Sequence, residues 1–231
     1  MTLALPDSLL VIPLENKVLL PSVVLKISMR GKDAVTLTRK HLRSSEQRKP
    51  TYLACIPLTS EKSSTNEDVF IRPEDKDQLF GYGCAARILR IQRAGLGAFT
   101  MFVEGVSRFK IRDFQKKEDT LYAQVNYIEY EEVSDKDDDM IRFKALVREF
   151  LLKMKELRMP ENLIQQLTKL LDSVPPPVLA DLLVTVIETS FDEKLTMLAT
   201  EDVKKRLEKA SEWMTRQLHV SFIGYQSDKS C

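Results

Sequence analysis

The hydrophobic period changes once along this chain, near residue 134, and that change constrains the fold more than any other feature of the sequence. Before it, apolar residues alternate or run in short blocks bounded by turn residues, as half-buried and buried strands do; after it, they recur at i, i+3, i+4 and i+7, as amphipathic helices do. Residues 23–29 set Val23, Leu25, Ile27 and Met29 against Val24, Lys26 and Ser28, and residues 121–128 set Leu121, Ala123, Val125 and Tyr127 against Tyr122, Gln124, Asn126 and Ile128. Blocks at 8–14, 52–58, 82–93 and 98–111 read as further strands. The glycine-bearing residues 94–97 connect two of them as a hairpin, and Gly105 inside a strand pattern suggests a bulge or bend. Between strands, Val35, Leu37, Thr38 and Leu42 fall near helical spacing, and residues 59–77 form a polar, solvent-facing insertion. Several short strands with few helices predict a curved antiparallel sheet or small barrel.

In the second half, Met140, Phe143, Val147, Phe150, Leu151, Met154 and Leu157 make one helix, led by the acidic residues 134–139. Pro160 ends it and starts a helix bearing Leu163, Leu167, Leu170 and Leu171. After the turn at 173–177, Val178, Leu179, Leu182, Leu183, Val186 and Ile187 form a helix apolar enough to be central. A short helix over 192–198 follows, and Thr200 is placed to cap a last one with Val203, Leu207, Ala210, Met214 and Leu218. The reading is therefore α+β: a β-rich subdomain over 1–133, an α-helical subdomain over 134–220, and a tail over 221–231.

Composition narrows the function. The 35 Lys and Arg against 34 Asp and Glu leave a formal charge of +1, which is not the basic excess of a nucleic-acid binder. The three cysteines, Cys55, Cys84 and Cys231, contain no C-x-x-C pair and suit a reducing compartment, with Cys55 and Cys84 as small buried hydrophobes. Residues 1–14 lack the basic start of a signal peptide and the Arg- and Ser-rich character of a mitochondrial leader, so the chain is expected in the cytosol or imported folded. No apolar run is long enough to span a bilayer.

No catalytic set emerges. Gly31-Lys32 is followed by Asp33 and not by the rest of a phosphate-binding loop, and the pairs Gly81/Gly83 and Gly95/Gly97 read as turns. His41 and His219 lie too far apart in sequence to suggest zinc, Asp137, Asp138 and Asp139 lack the glycine and distant glutamate of a calcium loop, and Ser44, Ser45, Ser63, Ser64 and Ser230 sit in polar stretches without a base. The chain reads as a binding module with no cofactor and no metal.

The order of short motifs resembles the N-terminal domain of Lon ATP-dependent proteases. Residues 12–21 (IPLENKVLLP) are similar to the family's opening P-L-x-x-x-V-L-x-P, and residues 83–88 (GCAARI) with 102–111 (FVEGVSRFKI) are similar to its G-x-x-A-x-I and V-x-G-x-x-R-x-x-I strands. Residues 170–175 (LLDSVP), 193–195 (EKL) and 206–208 (RLE) resemble its helical half, and 169–175 with 187–190 (IETS) look most like the peroxisomal branch. The resemblance runs over roughly 9–219, whereas 221–231 do not resemble the family. It implies a PUA-like barrel followed by a helical bundle. It also implies a substrate-recognition and assembly domain that binds unfolded or damaged protein, assembles with other Lon subunits, and serves quality control in the peroxisomal matrix or, alternatively, the cytoplasm. The ATPase motor and the Ser-Lys peptidase of an ATP-dependent serine endopeptidase have no motif in these residues, so the chain itself is not expected to be an enzyme. Arg30 and Lys32, in the turn after the 23–29 strand, occupy the place of a charged loop near substrate in that family; ordinary solvated turn charges are the competing reading. Leu163, Leu167 and Met214 are expected in the core. Two other functions stand beside this one. A stand-alone Lon-like adaptor would recruit clients to another machine, and an RNA-binding barrel is disfavoured by the charge; no nucleic-acid or membrane partner is expected.

Overall fold

A computed structural model describes residues 5–47, 49–59, 73–117, 120–129, 137–156 and 160–227. Internal contacts divide the chain into Met1–Glu129 and Tyr130–Cys231, each taken here by itself. The expected change of character at Val133 lies outside the described residues.

The first unit contains strands β1 (Ser8–Leu14), β2 (Val24–Arg30), β3 (Tyr52–Pro57), β4 (Tyr82–Gly95), β5 (Ala98–Lys117) and β6 (Thr120–Tyr127), with helix α1 (Gly31–Glu46) between β2 and β3. Their order is β2-β5-β4-β3-β1-β6, and β6 returns to pair with β5, so five strands close into a barrel and β2 hangs outside it on β5. The length of β5 makes this possible. Its first half pairs with β2 and with the distal part of β4, and its second half pairs with β6 from Phe109↔Tyr127 to Lys117↔Thr120. The bulge expected at Gly105 is present: Ala85 faces Ser107 while Ala86 faces Gly105, leaving Val106 as the extra residue that bends the strand.

Among the described strands every pairing is antiparallel except one. β1 and β3 run parallel from Leu10↔Leu53 to Leu14↔Pro57, which corrects the all-antiparallel expectation. The chain leaves β1, forms β2 and α1, and re-enters beside β1; a crossover of that length is what parallel neighbours require. Apolar periodicity marks strands but carries no information about their direction.

Alternation fills both sides of the barrel wall. Leu9, Val11, Ala54, Ile56, Ala85, Phe109, Leu121, Ala123 and Val125 form one cluster, and the intervening Leu10, Ile12, Leu53, Cys55, Cys84 and Ala86 are buried as well. Cys55 and Cys84 are free thiols facing each other across β3 and β4, and burial pushes the Cys55 thiol well above its ordinary range. The stretch containing Val18, Leu19 and Leu20 closes against β5, with Ser22 N–H donating to Gly105 O at 2.8 Å and Gly105 N–H to Val23 O at 2.9 Å. A side chain at Gly105 would run into the Leu20 carbonyl, so only glycine permits this approach. α1 begins immediately at the end of β2 and buries Ala34 and Leu37, whereas Leu42, expected on that face, is exposed. Of the polar insertion, residues 60–72 lie outside the described set; its ends meet through Thr59 N–H to Gln78 O at 2.8 Å, after a 3₁₀ turn over Pro73–Gln78.

The second unit contains α2 (Asp138–Glu156), α3 (Glu161–Ser173), α4 (Pro176–Val184), α5 (Phe191–Ala199) and α6 (Val203–Ser227). The core face of α2 holds the predicted Met140, Phe143, Val147, Phe150, Leu151 and Met154, while Leu157, expected with them, lies outside the described residues. α4 is central as expected, with Leu179, Ala180 and Leu183 fully buried. Leu167 and Met214 are core; the side chain of Leu163 is outside the described set. Three helix boundaries differ from expectation: α4 ends at Val184, leaving Val186 exposed and Ile187 outside the helix, and the other two concern α6. Asp202 caps α6, accepting from Lys204 N–H at 2.8 Å, while Thr200 ends α5 and donates its hydroxyl to Thr196 O at 2.7 Å. α6 continues to Ser227, beyond the expected end at 220, because no proline interrupts the propagation of its main-chain hydrogen bonds. Asp181 and Arg206 meet at 3.7 Å inside the bundle, almost fully buried.

Candidate functional site on β2 and its sheet

β2 is the one described strand that neighbours a single partner, so its outer edge presents main-chain donors and acceptors to which another strand can add. Ile27 and Met29 anchor it in the core, while Val24, Lys26, Ser28 and Arg30 face outward. Across the sheet Val24 pairs with Glu104, Lys26 with Phe102, Ser28 with Thr100 and Arg30 with Ala98; β4 then sets Arg87, Arg90 and Gln92 beside Glu104, Phe102 and Thr100. The result is an open sheet face with an aromatic ring at its centre. The Arg90 guanidinium lies 4.2 Å from the Phe102 ring centroid, and Lys26 stands on the other flank. Arg87 and Glu104 form an exposed ion pair that fixes the next row. Val24 is 55% exposed, and Leu96, at the β4–β5 turn, is 97% exposed. This combination of free edge, half-buried aromatic, flanking cations and exposed aliphatics suits an extended polypeptide better than a small molecule.

Arg30 and Lys32 stand at one end of this face, but not in a turn. Arg30 is the last residue of β2 and the N-cap of α1, in extended conformation, and Lys32 is an exposed residue of the first helical turn. Gly31 takes φ +84 between them, and its N–H donates to Gly97 O at 3.3 Å, which ties the start of α1 to the turn carrying Leu96. The chain reverses at Gly31 within one residue because only glycine enters that region at no steric cost. The structure therefore brings Arg30 to the sheet face and leaves Lys32 on the helix. The other face residues, Val24, Phe102 and Leu96, were missed in the sequence; the legible signal was Val24, the one aliphatic among the outward positions of β2.

The helical unit has a separate groove of about 850 Å³ between α2 and α6, with Phe143, Leu146 and Leu207 among its apolar lining and Arg142, Glu208 and Glu212 among its charges. At one end Lys204 bonds Asp137 at 2.9 Å and Asp139 at 3.1 Å, and the Lys204 hydrogen bond lowers the pKa of Asp137. His41, half-buried, lies with Nδ1 3.2 Å from the Thr51 hydroxyl, and burial lowers its pKa; His219 is exposed on α6. Among the described residues no cluster of His, Cys, Asp and Glu has the makings of a metal site, and no helix is long and apolar enough to cross a membrane.

The profile of the ATP-dependent protease La (LON) substrate-binding domain matches residues 8–216. This chain belongs to the Lon substrate-binding domain family. Among its relatives, "Lon protease homolog 2, peroxisomal" of Arabidopsis thaliana is 28% identical over 94% of this chain and 28% of its own length. "Lon protease 2" of Myxococcus xanthus is 25% identical over 98% of this chain and 26% of its own. The chain thus spans little more than a quarter of the Lon proteases it matches. The fold agrees with the solved N-terminal domain of Mycobacterium avium complex Lon protease, at TM-score 0.61 and 21% identity over 90% of this chain and 98% of that one. A Lon N-terminal domain protein from Xanthomonas campestris gives the same TM-score at 17% identity. The expected α+β architecture, a sheet-built half followed by a helical half, is the Lon N-domain architecture.

Proposed function

We propose that this Lon domain captures unfolded or damaged polypeptide on the β2 edge and the β2-β5-β4 face, for delivery to an AAA+ motor and Ser-Lys peptidase in a Lon assembly of the peroxisomal matrix. The carrying observation is the single-partner edge of β2 beside exposed Val24 and Leu96. An extended segment added there satisfies its main chain against β2 irrespective of its sequence, and its apolar side chains cover Val24, Leu96 and the Phe102 ring. Folded proteins hide both features. Arg30, at the end of the strand, and Lys32, at the start of α1, contribute charge at the rim of the site. The names of the plant relatives support the peroxisomal placement, while bacterial Lon proteases are similar at comparable identity.

The test is a fluorescence-anisotropy titration of one labelled client, folded and unfolded. Binding of the unfolded form alone is expected. Val24→Asp with Leu96→Asp removes about 2 kcal/mol of apolar contact, a roughly 30-fold weakening. Equal affinity for both client forms, or an unchanged affinity in the double variant, would overturn the reading. Imaging of the tagged full-length gene product beside a peroxisomal marker tests the placement.

A further inference from the structure

The cations of α1 form a stripe. At 100° per residue Lys32, Thr36, Arg39, Lys40, Arg43 and Gln47 fall within an arc of about 100°, on the side of the helix away from the buried Ala34 and Leu37. The side chains from Thr36 onward, with Ser44, border an open hollow of about 460 Å³ lined by polar and basic residues with no carboxylate among them. Midway along the stripe the β5–β6 hairpin adds another cation beside Lys40: Lys40 Nζ lies 5.8 Å and Lys117 Nζ 4.8 Å from the centroid of the Tyr122 ring. None of Lys32, Arg39, Lys40, Arg43 and Lys117 forms an ion pair with a described carboxylate, although Glu46 stands at the edge of the stripe. Helix electrostatics favour Arg43 in the last turn but not Lys32 in the first, so the macrodipole alone does not account for the stripe. A run of cations with no carboxylate partner among the described residues, in a chain whose net charge is only +1, points to an anionic partner.

We propose that the α1 stripe binds acidic, glutamate- or aspartate-rich segments of client polypeptides; the inference rests on the client-binding function proposed above. Alternate carboxylates of an extended chain recur about every 6.6 Å, close to the 5.4 Å rise per turn at which α1 presents its cations. A nucleic acid fits less well. The single aromatic ring here already holds two ammonium groups, so it offers no open platform for a base.

The test uses the full chain and labelled peptides: a short apolar peptide, the same peptide with a hexaglutamate tail, and hexaglutamate alone, with a single-stranded RNA as competitor. At about 50 mM salt the tail is expected to tighten binding roughly tenfold, by a gain that fades as salt rises. Arg39→Gln with Arg43→Gln, both exposed, should abolish that gain while leaving the untailed peptide unaffected. A tail without effect, a gain that survives in the double variant, or RNA that displaces the tailed peptide at lower concentration than hexaglutamate does would overturn the proposal. If the untailed peptide fails to bind, the client-capture reading falls, while hexaglutamate that binds the wild type and not the variant still upholds the stripe.

Discussion

Replacing Gly105 by alanine sets one methyl group against main chain. A Cβ at that position would lie 2.2 Å from the Leu20 carbonyl oxygen and 2.9 Å from its carbon. A flexible side chain could swing away; this carbonyl cannot, because Ser22 and Val23 are hydrogen-bonded to Gly105 on either side of the contact. The methyl therefore separates the two segments. Loss of two main-chain hydrogen bonds costs about 1 kcal/mol each, and residual overpacking adds about 1–3 kcal/mol. The expected destabilisation is about 3–5 kcal/mol, a large part of the roughly 5–15 kcal/mol that holds a domain folded. Urea unfolding followed by circular dichroism reads it as a fall in midpoint at unchanged slope, and thermal melting as a drop of roughly 10–20 °C. Gly81→Ala is the control: nothing lies within 4 Å of a Cβ there, and the change should stay within about 0.5 kcal/mol. A Gly105→Ala protein less than about 1 kcal/mol below wild type would refute the close approach of the Leu20 segment to β5.

Within the helical unit, Arg206→Met leaves the Asp181 carboxylate buried without its ion partner and is expected to cost about 3–5 kcal/mol, most of it recovered by adding Asp181→Leu. A double-mutant cycle with no coupling between the two would argue against a shared pair. The α5 capping box, in which Ser190 and Glu193 each accept from the other's main-chain N–H at 3.1 and 2.9 Å, makes Ser190→Ala about 1 kcal/mol less stable by thermal melting. The Arg216 hydrogen bond holds the Glu193 carboxyl below its usual range. Its contribution is therefore complete above the ordinary glutamate pKa of about 4.3 and is lost as pH falls through the lower folded value. Glu193→Gln should flatten that part of the acid limb of stability, and an unaltered limb would contradict the assignment.

Both halves of the molecule were legible because burial imposes a period on each element. The face of α2, the central place of α4, the 94–97 hairpin and the bulge near Gly105 all follow from local spacing. The parallel pairing of β1 with β3 does not, since strand direction depends on where the chain returns. Nor does the single 20-residue span of β5, which a bulge bends without breaking. The cap of α6 was assigned to Thr200 in place of Asp202 because either residue can serve, and only helix direction at that point decides. Arg30 and Lys32 illustrate the same limit at the candidate site. Their charge was visible, but the strand-to-helix reversal at Gly31 separates them onto different elements. The open sheet face stayed hidden because it joins residues from three strands far apart in sequence.

The continuity of β5 has a mechanical consequence. β2 is held along its seven residues to a strand that also closes the barrel. A pull directed along β2 loads those hydrogen bonds together, in shear, and passes into the barrel wall through an unbroken main chain. A pull across β2 opens the same bonds one after another. The first unit is thus stiff toward tension along β2 and yielding toward tension across it.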